Sequence, residues 1–452
     1  MAEKRITDMT VGSSTKHIIK FALPLLFGNL FQQFYNLVDS IVVGNYVGAN
    51  ALAAVGACGS LNFLFFSLSG GISGGIGIIV AQYFGSGKND KVKDTIANAI
   101  YVLGAVCIVV SIIGIIFAPE ILELLSTPEE ILYDSTLYLR TTCAGMIAIV
   151  AYNGVSSILR ALGDSKTPLI FLIISCILNI GLDLIFVIYF NAGVFGVALA
   201  TIISQIISAV TSTIYAVKNV SYFKISKEDM KADKEIIINS LRIGTPIAFQ
   251  SSLIAISCLV LQSVVNSFGA TVVAAFTVTS RVEQVVMQPY GSLSMAVTTF
   301  TGQNMGAGKI ERIKKCLYSS TIMILAFSLS MLPIAYIFGE AIIKIFVNES
   351  DVIEMGAKAL RITSICYFPL GMIFIPRALL NGAGDAKFSM INGITEVVCR
   401  IVFSNIFTKI EFIGLWGIWI TSGATWTVTA VVCILRYASG VWKTKAIVSA
   451  AN

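Results

Sequence analysis

Asn179 and Asp183 interrupt an apolar run from Leu169 to Phe190 and stand four residues apart. A run of that length reads as a membrane-spanning helix, and four residues is just over one turn, so the amide and the acid share a face. Gly181 leaves room beside them. An ionisable side chain at that depth is costly enough to mark a functional site. A second acid, Asp39, closes a polar face on the first apolar segment, where Gln32, Tyr35, Asn36 and Asp39 follow three- and four-residue spacing. If Asp39 and Asp183 meet, two carboxylates in a poorly hydrated pocket resist double ionisation, and the pair takes up a proton or another neutralising cation. Carboxylate and amide oxygens are also hard ligands of the kind Na⁺ accepts, so composition leaves H⁺ and Na⁺ both open.

The elements that must position these residues are membrane helices. Of 452 residues, 56% are hydrophobic and only 12% charged, against about 25% in soluble domains. Apolar segments run at about 17–43, 47–84, 95–118, 136–159, 169–190, 194–217, 243–267, 272–304, 316–338, 360–382, 388–410 and 413–436, which predicts twelve spans. Residues 1–20 carry no cleavable-leader pattern and are expected to remain, with the amino terminus inside. On that assignment 24 of the 31 Lys and Arg residues fall in inside segments, which places both termini in the cytoplasm and the chain in the cell membrane. The net charge of +6 then needs no nucleic-acid partner. The nine cysteines are singletons within apolar runs and read as small core residues.

The chain also repeats itself. Gly48-Ala49 matches Gly269-Ala270, Gln82 and Lys88 match Gln303 and Lys309, and Gly163-Asp164 matches Gly384-Asp385, each at an offset of 221. Pro24 and Pro246 differ by 222, which a single-residue insertion or deletion explains. Six spans per repeat predicts two parallel lobes, 1–217 and 243–452, joined by a basic cytoplasmic connector at 218–242, with a substrate path near the midplane. Pro24 and Pro246 are potential kink points, and Pro24 is the candidate hinge.

Other charges within the spans need an account. Glu396 and Arg400 lie four apart and read as a self-neutralising pair, with Arg400 at the repeat position of Asn179. Arg281 and Glu283, two apart, cannot face each other on a regular helix, so one of them is a candidate to line the central cleft, with Glu283 the candidate contact for cationic substrate and Met287 beside that surface. His17, the only histidine, is expected at a solvated helix start. Gly70-Gly-Ile-Ser-Gly-Gly-Ile-Gly77 suits close helix packing and lacks the Lys-Ser/Thr sequel of a nucleotide cradle. Membrane enzymes of the HExxH or paired Asp-rich type are excluded by the missing motifs, and neither catalytic residue nor cofactor is expected.

Taken together, Tyr35 to Asp39, Gly48 to Gly56, Gln82-Tyr-Phe-Gly-Ser-Gly-Lys88, Leu159-Arg-Ala-Leu-Gly-Asp164, Gly302-Gln-Asn-Met-Gly-Ala-Gly-Lys309 and Asn381-Gly-Ala-Gly-Asp385 resemble the multidrug and toxic compound extrusion (MATE) family, in particular its DNA-damage-inducible-protein-F-like branch. The resemblance spans essentially the whole chain. It implies an all-α protein of two six-helix lobes that exports amphipathic, often cationic or aromatic compounds in exchange for H⁺ or Na⁺. It also implies an amino-lobe cation site at Asp39, Asn179, Asp183 and Thr201. The stretches that carry carboxyl-lobe acids in some members, Gly244–Val260 and Cys366–Leu380, hold none here. A flippase of lipid-linked substrates from the same superfamily is the alternative, although it would favour a strongly cationic cleft. A two-lobed chain with its own pathway is expected to act as a monomer, with small-molecule substrates and membrane lipids as its partners.

Overall fold

The computed structural model describes residues 5–448 and is helical throughout, so the outermost residues of both predicted cytoplasmic termini lie outside the described residues. Eight helical stretches are long and apolar enough to cross a membrane. Two further spans are bent pairs, Glu129–Ala144 with Met146–Ala161 at 47° and Ser350–Ser364 with Tyr367–Gly382 at 50°. The remaining two, Ser14–Val42 and Ala270–Gly306, are equally long and more polar, the first because it carries the polar face ending at Asp39. The protein is thus an all-α polytopic membrane protein with twelve spans, six in each half.

The repeat is written into the backbone. Gly48 and Gly269, Gly87 and Gly308, Gly163 and Gly384, and Gly193 and Gly414 form four pairs at the 221 offset, and all eight have positive φ. That region is costly for any residue with a Cβ, which explains why glycine persists at both members of each pair. Equivalent loops need not keep equivalent partners. Asp164 accepts hydrogen bonds from the backbone N–H of Lys166 and Thr167 at 3.1 and 3.0 Å, whereas Asp385 accepts from Arg436 Nε at 2.8 Å.

The chain forms two compact units, one built on Leu23–Ala248 and the other on Phe249–Ser449 with Thr10–Ala22. Two of their edges, before Leu23 and after Ala248, fall inside the helices that hold Pro24 and Pro246. Part of the predicted 218–242 connector is helix, because Asp233 caps a helix beginning at Lys234 by accepting from the N–H of Glu235 and Ile236 at 2.9 and 3.3 Å. The rest is docked within the first unit. Asn98 donates to the Lys231 carbonyl and accepts from the Asp233 N–H, and Lys91 pairs with Asp233 at 3.0 Å. The glycine stripe packs as its spacing suggests, since a Cβ on Gly71 would lie 2.5 Å from the Ala248 nitrogen and one on Gly75 the same distance from the Gly244 nitrogen.

Candidate functional site

The Lys166–Leu184 helix has two distinct faces. Ile170, Ile174, Ile177 and Leu184 are exposed at roughly helical spacing, while Ser175, Cys176, Asn179 and Asp183 are buried. In a bilayer the first face meets lipid, and the second turns the acid inward. Asp183 is fully buried, and its carboxyl lies within side-chain hydrogen-bonding reach of Asp39. Asp39 comes from the Ser14–Val42 helix, and its Oδ1 is sealed from solvent with no hydrogen-bond partner.

Both acid-bearing helices end in a wide turn. The Gly48 N–H reaches back five residues to the Val43 carbonyl, and the Phe190 N–H reaches the Ile185 carbonyl, each at 3.1 Å. These π-helical turns, Val43–Val47 and Ile185–Tyr189, pack against each other. Such turns are rare and concentrate at functional sites. Here they stand immediately after the two aspartates.

Asn179 Nδ2 donates to Thr201 Oγ1 at 3.4 Å, and Thr201 Oγ1 donates to the Val197 carbonyl at 3.1 Å. Tyr35 lies close to both acids and within side-chain hydrogen-bonding reach of Thr201. The four residues named for the cation site, together with Tyr35, therefore form one cluster. Gln32 and Asn36, from the same sequence face, are exposed.

Tyr138, which no motif singled out, belongs to the cluster, standing close to Asp39, Asp183 and Tyr35. It rides on the Glu129–Ala144 helix, which is tied to the Ala49–Ala57 helix where Ser135 Oγ donates to the Ala54 carbonyl at 3.3 Å. The sequence signal for it is a buried-type aromatic at the start of the predicted 136–159 span. Chemically, the site offers two carboxyls, an amide oxygen and hydroxyls. That donor set, with one orphaned carboxyl oxygen, suits a proton or a small hard monovalent cation.

The second unit carries a different arrangement. Arg400 and Glu396 form the expected pair at 3.4 Å, both buried, and Arg400 also donates to Cys258 Sγ at 3.8 Å. Glu283 lies within hydrogen-bonding reach of Thr363, with its Oε1 sealed and unpartnered. Arg281 is exposed and Met287 half-buried, so the two-residue spacing separates Arg281 from Glu283 as the helix period requires. Pro24 lies within an unbroken helix. His17 stands in the first turn of its helix, half-exposed, with its ring Nε2 2.8 Å from the Val11 carbonyl oxygen in an exposed contact, as expected of a solvated helix start.

Comparison with known proteins gives the same picture of the whole chain. It is 29% identical to the probable multidrug resistance protein YoeA of Bacillus subtilis, over 94% of each chain. With the probable multidrug resistance protein NorM of Thermotoga maritima it shares 24% identity over 96% of this chain and 94% of the relative. Its fold superposes on a MOP superfamily transporter from Pyrococcus furiosus with a TM-score of 0.90 and 25% identity, covering 97% of this chain and 99% of that one. A MATE transporter solved in an outward-facing conformation gives 0.91 at 24% identity, a likeness of fold, covering 98% and 99%. The MatE sequence profile matches twice, at residues 24–185 and 246–406, once in each half of the repeat. The chain belongs to the MatE family of multidrug efflux transporters.

Proposed function

We propose that the protein is an antiporter that exports amphipathic, often cationic or aromatic, compounds and is driven by H⁺ or Na⁺ entering at Asp39, Asn179, Asp183 and Thr201. The observation that carries this reading is the meeting of two carboxyls within hydrogen-bonding reach, the fully buried Asp183 and the half-buried Asp39 with its sealed Oδ1. Two such groups cannot both stay ionised and unaccompanied, so the pair holds a proton or a metal cation in at least one state of the cycle. A ligand moves a conformational equilibrium only by binding one state better than the other. Neutralising the pair removes the repulsion that keeps the two helices apart, and substrate binding favours the unneutralised arrangement. Pro24, fifteen residues before Asp39 on the same helix, is the proposed hinge. Glu283, with Arg281 and Met287, is the proposed substrate contact, since an unpartnered carboxylate suits a cationic compound. The chain is proposed to act as a monomer in the cell membrane with both termini cytoplasmic.

Export of a fluorescent cationic dye from proteoliposomes, under an imposed pH gradient or an imposed Na⁺ gradient, tests the reading. One gradient should drive the wild type and fail to drive Asp183→Asn. Export by the mutant at the wild-type rate would remove Asp183 from coupling, and dye movement under neither gradient would remove the multidrug reading.

A further inference from the structure

At one end of the second unit, the start of the Ser14–Val42 helix and the opening turns of the Ile310–Lys344 helix flank an open pocket of about 550 Å³. The basic-residue count assigns this end to the cytoplasmic face. Three cations line the cavity: Arg312, Lys314 and Lys315.

Arg312 is fixed in place. Its Nε donates to Asn304 Oδ1 at 2.9 Å, and its terminal nitrogens donate to the Gly12 and Val11 carbonyls at 2.8 and 3.3 Å. This holds the loop that forms one wall. Thr15 Oγ1 donates to Ser319 Oγ at 2.9 Å and ties that wall to the other. Lys314 pairs with Glu311 at 2.6 Å. Lys315 is exposed and has no described hydrogen bond or ion pair. Three cations facing one acid leave the cavity net positive, and its hydroxyls add neutral donors. That is the chemistry of a phosphate site.

The surface beyond the rim selects among phosphates. Tyr318 lines the cavity and is 70% exposed, and above it Ile322, Leu325 and Leu329 are exposed at spacings of four, three and four residues. They form one uncovered apolar stripe leading from the cavity up the span. An inorganic or soluble phosphate makes no use of such a stripe, whereas an acyl chain lies along it, with Tyr318 at the level of the headgroups. Basic pockets at the cytoplasmic ends of membrane helices hold anionic headgroups in this way. We infer that Arg312, Lys314 and Lys315 bind the phosphate of an anionic phospholipid of the inner leaflet, whose acyl chain runs along Tyr318, Ile322, Leu325 and Leu329.

The test is native mass spectrometry of the full chain with added phosphatidylglycerol, phosphatidylcholine or inorganic phosphate. Because binding is read directly, the result does not depend on what is exported. Phosphatidylglycerol should be retained in preference to phosphatidylcholine. The double variant Lys314→Gln/Lys315→Gln should weaken that retention roughly tenfold or more, as expected for losing two lysines at a membrane surface. Leu325→Gln should weaken it as well, and Lys224→Gln/Lys227→Gln in the connector should leave it unchanged. Equal retention of the two lipids would overturn the inference, as would an equal loss in the connector variant. Displacement of the lipid by millimolar phosphate, together with indifference to Leu325→Gln, would assign the cavity to a soluble phosphate instead.

Discussion

The carboxyl of Asp183 faces that of Asp39, and each aspartate is followed within one turn by a π-helical turn that packs against the other. The two acids thus form one unit on a shared, locally irregular support. Asp39→Asn and Asp183→Asn should each reduce gradient-driven export at least tenfold, and the double variant should be no worse than the weaker single, because groups that act together lose their function together. Additive losses in the proteoliposome assay would mean that the acids act separately.

Thr201→Val keeps the shape of the side chain and removes the hydroxyl that Asn179 and Tyr35 both reach. One hydrogen bond at about 1 kcal/mol corresponds to roughly a fivefold weaker response to the coupling ion, with the thermal midpoint little changed. The ion concentration that half-saturates export is the quantity to measure.

Arg400 and Glu396 are both buried, so losing one partner is worse than losing the pair. Arg400→Leu should cost about 3–5 kcal/mol, while Glu396→Met/Arg400→Leu should recover most of that loss. Unfolding of the detergent-solubilised protein would report both.

Close approach of helices makes the glycine stripe sensitive at some positions and indifferent at others. Gly75→Ala places a methyl 2.5 Å from the Gly244 nitrogen and should cost about 1–3 kcal/mol or abolish accumulation in the membrane. At Gly74 a Cβ meets nothing within 4 Å, so Gly74→Ala should be neutral. Thermal midpoints of the two variants make the comparison.

Acid should undock the connector late. Burial acts to raise the Asp233 carboxyl, but the Lys91 hydrogen bond and the N–H groups of Ile236 and Glu235 outweigh it and hold the acid below its ordinary value. A depressed carboxyl contributes fully above about pH 4 and loses its contribution as pH falls through the lower folded value. Limited proteolysis within 218–233 should therefore stay slow down to about pH 4 in the wild type. Asp233→Asn should be cut faster already at neutral pH.

Much of the architecture was legible in the chain. The spans follow from apolar length, the repeat from the 221 offset, and the facing of Asn179 and Asp183 from helical period. The bends at Gly145 and beside Cys366 were not legible, because apolar length runs smoothly across them. Tyr138 was hidden for a related reason: a tyrosine enters a site through the packing of its helix, and Ser135 fixes that packing through a backbone carbonyl that no side-chain pattern reveals.

From Pro24 to Gly48 the first half is one residue longer than the second is from Pro246 to Gly269. The surplus coincides with the Val43–Val47 turn, where the helix opens to a five-residue bond. The second half closes with three-residue bonds from Ser267 and Phe268 to Val264 and Val265. An α-helix accommodates one extra residue by widening one turn, and the π turn is where the longer copy takes up its extra residue. The longer copy is the one that carries both aspartates. Deleting one residue between 43 and 47 would return that helix to an even phase and swing the Ala49–Ala57 helix by about 100° relative to Asp39, leaving every charge in the chain unchanged.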